Sequence, residues 1–584
     1  MPFGYHGSYL RIDVSNGTAE NIPVAEAILR QFIGGSGLGV KLLLDQGAAV
    51  LDPLAPEAPL VFAFSPLVGS PLTTSAKFAV VSKSPLTERI NDSLASSGFA
   101  IAGKRCGCDA IVIVGRAPDL SVLVIDGADA EGVSSRPKIR VETALEYSGA
   151  TCQETEIGLK ARLGAGYRVA SIGAGGEHLV RYATISHDGR HAGRGGSGAV
   201  LGAKNIKAIA LRGKQRAEWA HPAELTAISK SLSKRSFGPA TAKYRELGTA
   251  TNLLTFNRFG ALPTRNFQSG TFDEAASLSA EGLSTTRSRV RESCVNCTIG
   301  CEHIYSLGTS GVRIEYESLF ALGSLCGVGD ADAVLRASQR CDQLGIDTIS
   351  TGGTIAFAME CVERGWLDEP WLTFGSGDAL LRAIDLIGSR KGIGDLLAEG
   401  SRRAAHEIGH DSIVFAPQVK GLEIPGYEPR ALQTMALGFA VGARGADHNR
   451  SGAYEVDFSD KVDRRHVTLD AVQYAIDTED KAALMDSLII CKFLRGVFDD
   501  FHAEAAEILR SVTGWDVSAD ELRETAKRIV AAKRQFNLLA GWTPAEDTLP
   551  QRFLNAPLPN DPEASLTGEK LGALVAEYHR QRAW

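Results

Sequence analysis

Three cysteines fall within eight residues of this 584-residue chain, in Cys294-Val-Asn-Cys297-Thr-Ile-Gly-Cys301. Thiolates at that density on an irregular turn can converge on one centre, and soft sulfur donors suit zinc or an iron–sulfur cluster. Zinc fits less well, because no histidine or fourth cysteine follows at zinc-finger distance and His303 stands too close to complete the usual module. The order also reverses the C-x3-C-x2-C arrangement of radical-SAM enzymes. The bland alternative is three packed or incidental cysteines, and the compact spacing and polar neighbours weigh against it. An ordinary [4Fe–4S] centre needs a fourth ligand from elsewhere, and Cys326, Cys341 and Cys491 all remain open.

Two further stretches could bind or react. DGRHAGRGGSGAVLGAKNIKAIALRG interleaves Arg190, Arg194, Lys204 and Lys207 with Gly193, Gly195, Gly196, Gly198 and Gly202. Arginines can grip phosphate in a fork while glycines let backbone amides approach, so the stretch reads as an anion site. It matches neither a Walker A loop nor a dinucleotide fingerprint. Downstream, Asp342 and Asp347 flank Gly345 in CDQLGIDTISTGG, a helix–loop junction that could receive an anion or a heterocycle, or simply cap a helix. Glu317, in YESLFALG, reads by itself as a solvated residue at a helix start.

The elements that must position these residues change character along the chain. Residues 1–210 are rich in glycine and in short strand-like runs, namely SYLRIDV, LVFAFSP, KFAVVSK, DAIVIVG, SVLVIDG, YRVASIG and KAIALRG. Long interleaved helices are missing from the pattern, which disfavours a doubly wound fold. Beyond about residue 218, apolar residues recur at helical spacing, as in DADAVLRASQRCDQLG and SADELRETAKRIVAAKRQFNLLAG. A Pro/Gly break in VKGLEIPGYEPR suggests a boundary near 415. The expected class is α+β: a mainly β base domain over 1–210 carrying two helical domains, 211–415 and 416–584.

Composition bounds the partners. Net charge is −7 with a pI near 6.0 and no basic stripe, which argues against nucleic acid and permits metabolites or a small redox protein. No apolar run reaches membrane-spanning length, and the N-terminal segment reads as a hairpin around SNGT, not as a leader. A cytoplasmic location without membrane contact is therefore expected. Most of the ten cysteines should pack as small hydrophobes in a reducing compartment.

Taken in order, these motifs resemble the tungsten-dependent aldehyde:ferredoxin oxidoreductase family. The resemblance runs through IGGSGLGVKLL, KSPLTERINDSLASSG, CDAIVIVGRA, GRGGSGAVLGAKNIKAI, GALPTRNFQSGTF, CVNCTIGC, YESLFALG, DQLGIDTISTGGTIAFAMEC and GLEIPGYEPRALQTMALGFAVGARGADHN, and so spans nearly the whole chain. It implies one tungsten held by two pterin dithiolenes, with molybdenum as the alternative metal, room for a Mg2+ ion bridging the pterin phosphates, and one [4Fe–4S] cluster. It selects Cys491 as the fourth cluster ligand beside Cys294, Cys297 and Cys301. It places Arg194, with Gly195 beside it, between cluster and pterin. The two pterin motifs would be Asp342-Gln-Leu-Gly345-Ile346-Asp347 and Asp486-Ser-Leu-Ile489-Ile490-Cys491, the second with isoleucine in place of glycine. Two more departures touch expected cofactor contacts: Lys77 stands where the family has arginine, and Ser93-Leu94 where many members carry Ser-Asn.

For chemistry the resemblance nominates Glu317, His448 and Tyr427. The implied reaction is oxidation of a small aldehyde with water to a carboxylic acid. Glu317 would handle the water proton, and His448 with Tyr427 would bind the carbonyl oxygen. Electrons would leave through the cluster to ferredoxin or to a separate iron–sulfur subunit, and homo- or hetero-oligomers are both compatible. Two other readings compete. A low-potential reductase of an aromatic acyl-CoA thioester needs a wide mouth with basic residues at its rim. A noncatalytic iron–sulfur subunit needs no buried cavity beside His448.

Overall fold

The computed structural model describes residues 2–127 and 137–584. Among these residues the base contains two six-stranded sheets, each with a single parallel pair. The first runs Thr18–Pro23, Ser8–Asp13, Ala110–Val114, Leu60–Ala63, Lys77–Lys83, Ile90–Ser96. The second runs Arg190–Ala192, Ile185–His187, Arg168–Ser171, Ile206–Arg212, Ser121–Asp126, Lys138–Thr143. Their apolar faces meet in one core, where Phe62, Phe78 and Val80 pack with Leu123, Ile185 and Ile209. This is the expected α+β class without a doubly wound sheet, and each strand run named above coincides with an observed strand.

The predicted N-terminal hairpin is present: Asp13 pairs with Thr18 across the Ser-Asn-Gly turn, and Gly17 takes the left-handed conformation there. Strand Ile90–Ser96 departs from expectation, because INDSLAS lacks the β-branched alternation that marks a strand. So does the helix Gly35–Asp45, whose glycines hide its periodicity. Those glycines serve close packing: a Cβ on Gly39 would meet Val81 Cγ2 at 2.4 Å, so only glycine lets this helix lie on the sheet.

Beyond the base the chain is helical. The segment 377–409 resolves into three helices, Gly377–Ser389, Ile393–Leu397 and Ser401–Ile408, separated by left-handed or glycine turns. A small antiparallel sheet, Arg289–Glu292, Glu302–Leu307 and Ser310–Ile314, interrupts this part. The cysteine triplet is the loop between its first two strands, held in register by Glu292 opposite Glu302. One large core joins Leu319, Leu335 and Ile355 to Met435, Val472 and Leu571. A second joins base strands at Val61 and Val81 to Leu484, Ile529 and Phe536. No helix among the described residues is long and apolar enough to cross a membrane.

Candidate functional site

A cavity of about 830 Å³ lies where base strands, the cysteine hairpin and helix ends converge. Cys294, Cys301 and Cys491 line one end of it, and Cys297 stands behind them, half-buried, with the Ile299 N–H donating to its sulfur at 3.3 Å. Thr74 ties the set together. Its N–H donates to the Asn296 carbonyl at 2.6 Å, and its hydroxyl accepts from the Cys491 N–H at 3.3 Å. Thr73 adds an acceptor for the Thr298 N–H at 3.1 Å. Burial raises the Cys297 thiol to about 11 and Cys301 well above its ordinary value, and the neighbouring Cys491 and Cys294 raise both further. These thiols therefore ionise only beside positive charge, as a metal centre supplies. Among the described residues no three His, Cys, Asp or Glu side chains close on one ion.

The other open candidates for a fourth ligand lie elsewhere. Cys326 and Cys341 are fully buried in the helical core, with the Cys326 thiol donating to the Ala321 carbonyl at 3.4 Å. The remaining cysteines outside the loop, Cys106, Cys108, Cys152 and Cys361, are buried with thiol pKa values raised chiefly by burial, as inert packing residues.

The two aspartate motifs are both helix ends. Helix Ala331–Leu344 stops at Gly345 with φ 66°. Glycine suits that left-handed cap, and a Cβ there would also approach the Gly173 nitrogen to 2.8 Å. Asp342, in the last turn of this helix, meets His191 Nε2 at 3.1 Å, and Asp347 caps the next helix by accepting from the Ile349 and Ser350 N–H groups. Helix Ala471–Leu488 stops at Ile489 with φ 65°. The isoleucine thus holds the left-handed turn that glycine holds in the first motif, at a cost of about 1–2 kcal/mol. Asp486 remains buried, paired with Arg450 at 3.1 Å and Lys492 at 3.0 Å.

Between these ends lies a buried charge network. Asp92, on strand Ile90–Ser96, accepts from Lys533 Nζ at 2.7 Å and Arg450 Nε at 3.2 Å. Burial alone would raise its carboxyl, but Arg450, Lys533 and Arg444 hold it far below the usual range. Arg444 donates to the Asp92 carbonyl at 2.8 Å and pairs with Asp447 at 3.2 Å, yet its Nε and second Nη have no partner although the side chain is 4% exposed. Buried guanidinium donors left unmet are costly unless a ligand accepts from them. The donor set therefore fits an anionic, hydrogen-bonding group in this cavity.

Glu317 sits in the first turn of helix Tyr316–Leu322 and, contrary to its reading as a solvated residue, faces the cavity. One oxygen accepts from the Gly426 N–H at 3.0 Å, while the other has no hydrogen-bond partner and stands 3.5 Å from His448 Nδ1. Burial raises the carboxyl to about 8 and lowers His448 to about 3, so the imidazole is neutral at pH 7. Tyr427 meets His448 through its ring, with centroids 4.9 Å apart.

Of the predicted cofactor contacts, Lys77, Ser93, Leu94, Arg194, Asp342, Ile346, Asp347 and Asp486 line the cavity. Arg194 donates to the Ala446 carbonyl at 2.7 Å and meets Asp347 at 3.3 Å, spanning base and helical segments. Gly195, Gly345 and Ile490 do not line it. Gly195 is a left-handed turn pressed against Asn91, and Ile490 packs in the apolar core. The basic glycine stretch divides. Arg190 and Arg194 reach the cavity, but Lys204 is buried against the Pro56 carbonyl at 3.0 Å and Lys207 against Glu177, so neither is free for an anion. Sequence reasoning does not single out His191, Arg444, Arg450 or Thr74. The Arg-x2-Asp-x2-Arg spacing over Arg444, Asp447 and Arg450 is a signal that could have exposed two of them.

The family model for the aldehyde ferredoxin oxidoreductase N-terminal domain matches residues 9–213, and that for domains 2 and 3 matches 226–584. The chain is 35% identical over 600 residues to a tungsten-containing aldehyde ferredoxin oxidoreductase of Thermococcus kodakarensis, covering all of this chain and 96% of that one. The protein of the same description from Pyrococcus furiosus is 34% identical with the same coverage. An aliphatic sulfonate oxidoreductase, WOR-like subunit, of P. furiosus is 28% identical over 99% of this chain and 94% of its own length. Among solved structures, the active site complex of benzoyl coenzyme A reductase bound to 1,5-dienoyl-CoA superposes with a TM-score of 0.83 at 22% identity, covering 100% and 95% of the two chains. That likeness concerns the fold alone.

Proposed function

The chain belongs to the aldehyde ferredoxin oxidoreductase family, a family of oxidoreductases, and from that premise we propose that it oxidises a small aldehyde with water to the carboxylic acid. Aldehyde and water give acid, two protons and two electrons. The observation that carries this reading is the Glu317–His448 pair, two partnerless buried atoms 3.5 Å apart on the cavity wall. When bound, a tungsten held by two pterin dithiolenes would supply a two-electron acceptor, and a [4Fe–4S] cluster would supply a one-electron exit route.

Arg194, Arg444, Arg450, Asp342, Asp347 and Asp486 would hold the pterins, and Cys294, Cys297, Cys301 and Cys491 the cluster. Glu317, with a pKa of about 8, is matched to taking a proton from water near neutral pH and releasing it later. His448, neutral, can donate a hydrogen bond to the aldehyde oxygen without carrying charge. Tyr427 fixes the plane of the imidazole by stacking, a positioning role in place of direct carbonyl binding. The electron partner fitting this scheme is a small iron–sulfur protein or subunit.

The cavity of about 830 Å³ is of a size that takes ligands, and a small aldehyde is the simplest substrate for the Glu317–His448 end of it. Among the cations on the lining, Arg495 is already neutralised by Glu455 and bonded to the Tyr454 hydroxyl, whereas Lys243 is exposed and has no ion pair among the described residues. The cavity beside His448 argues against a noncatalytic subunit. The test is to purify the protein with tungsten supplied and assay aldehydes with a low-potential viologen dye. Fully metallated protein inert to every aldehyde would refute the assignment.

A further inference from the structure

Beside the Glu317–His448 pair, the cavity wall is built of aromatic rings. Phe256 is the hub, stacked on Tyr316 with centroids 5.0 Å apart, and set edge-on to Tyr427 at 5.0 Å and to Phe458 at 5.2 Å. Tyr454 extends the wall, 5.1 Å from Tyr427. All five rings line the cavity. Phe256, Tyr316 and Tyr427 are buried, whereas Phe458, also on the lining, is 38% exposed. Arg495, which lies over the Tyr454 ring, is tied to Glu455 and to the Tyr454 hydroxyl.

We propose, resting on the aldehyde reading above, that this wall selects aryl aldehydes and that Phe458, its exposed member, is the specificity-determining residue. Aromatic rings attract one another in edge-on or offset geometry at centroid separations on the order of 5 Å. The wall already shows that spacing. An aryl aldehyde lying against Phe458 meets ring edges and faces, with its carbonyl directed to His448. A short aliphatic aldehyde gains none of these contacts. Because the ring of Phe458 is partly in solvent, its substrate-facing side gains a partner only when substrate arrives.

The test uses the metal-replete holoenzyme with benzaldehyde and acetaldehyde, and binds the inert amides benzamide and acetamide by calorimetry. The wild type should favour benzaldehyde by tenfold or more in kcat/KM and bind benzamide more tightly than acetamide. Phe458→Ala should cut that discrimination about fivefold, through KM for benzaldehyde with kcat little changed, because it removes uniform binding. The Kd of benzamide should rise in step. Phe458→Leu, which keeps apolar bulk and folding but lacks a π face, should lie between. Activity without discrimination, or equal losses on both aldehydes, overturns this proposal alone. Inertness toward every aldehyde overturns the reading beneath it.

Discussion

Ile489 occupies a backbone conformation suited to glycine, and two substitutions there separate strain from packing. The residue ends helix Ala471–Leu488 at φ 65°, while its side chain is 2% exposed and packs in the core with Leu67, Leu72 and Leu494. Ile489→Ala removes the packing and keeps the strain, at about 2–5 kcal/mol for a buried aliphatic truncation. Ile489→Gly also loses the last methyl group, worth roughly 0.8 kcal/mol when buried, but regains about 1–2 kcal/mol of left-handed strain. Both variants should be less stable than the parent, with glycine ahead of alanine by up to about 1 kcal/mol on those two figures. At an ordinary position the order is the reverse, with glycine behind by roughly 0.5–1 kcal/mol. Native-state hydrogen exchange over residues 485–492 is the assay, since local opening resolves a difference that a melt of the whole chain would blur. Protection should rank parent, glycine, alanine, the last two differing by up to about fivefold. Alanine better protected than glycine would mean that the left-handed turn at 489 is not there.

Three further outcomes are expected. Cys297→Ser should lose the cluster's visible absorbance and slow electron exit to a ferredoxin, and a variant normal in both would remove Cys297 from the ligand set. Glu317→Gln should lower kcat by about 10²–10⁴ with metal and pterin content retained, and should abolish the limb of kcat/KM that rises with pH through about 8. The stability sign is opposite: with its folded pKa raised from 4.5 to about 8, Glu317 weakens the fold as pH rises across that window, and the glutamine variant should lack that slope in a urea titration. Arg444→Leu should purify with little extractable pterin while its far-ultraviolet dichroism is unchanged. Full pterin content would show that the two unmet guanidinium donors serve no ligand.

Much of the fold is legible in the chain because its signals are local. Strand runs such as AIVIV and VLVID announce themselves by composition, and Asp347 followed by a helical run announces a cap. The strand INDSLAS and the glycine-filled helix Gly35–Asp45 are not legible, because their stability comes from the neighbours they pack on, not from propensity.

The site divides in the same way. Residue types and spacing were enough to mark which groups could do chemistry: a thiol triplet at cluster spacing, aspartates at two helix ends and arginines among glycines. Which of them share a cavity emerged from the folded chain alone. Folding brought Cys491 to the triplet through Thr74, sent Lys204 and Lys207 into the interior, and turned Glu317 from an expected solvated residue into a desolvated acid on the cavity wall. Ligand convergence and proton affinity depend on distance and dehydration, and both are set by segments far apart in the chain.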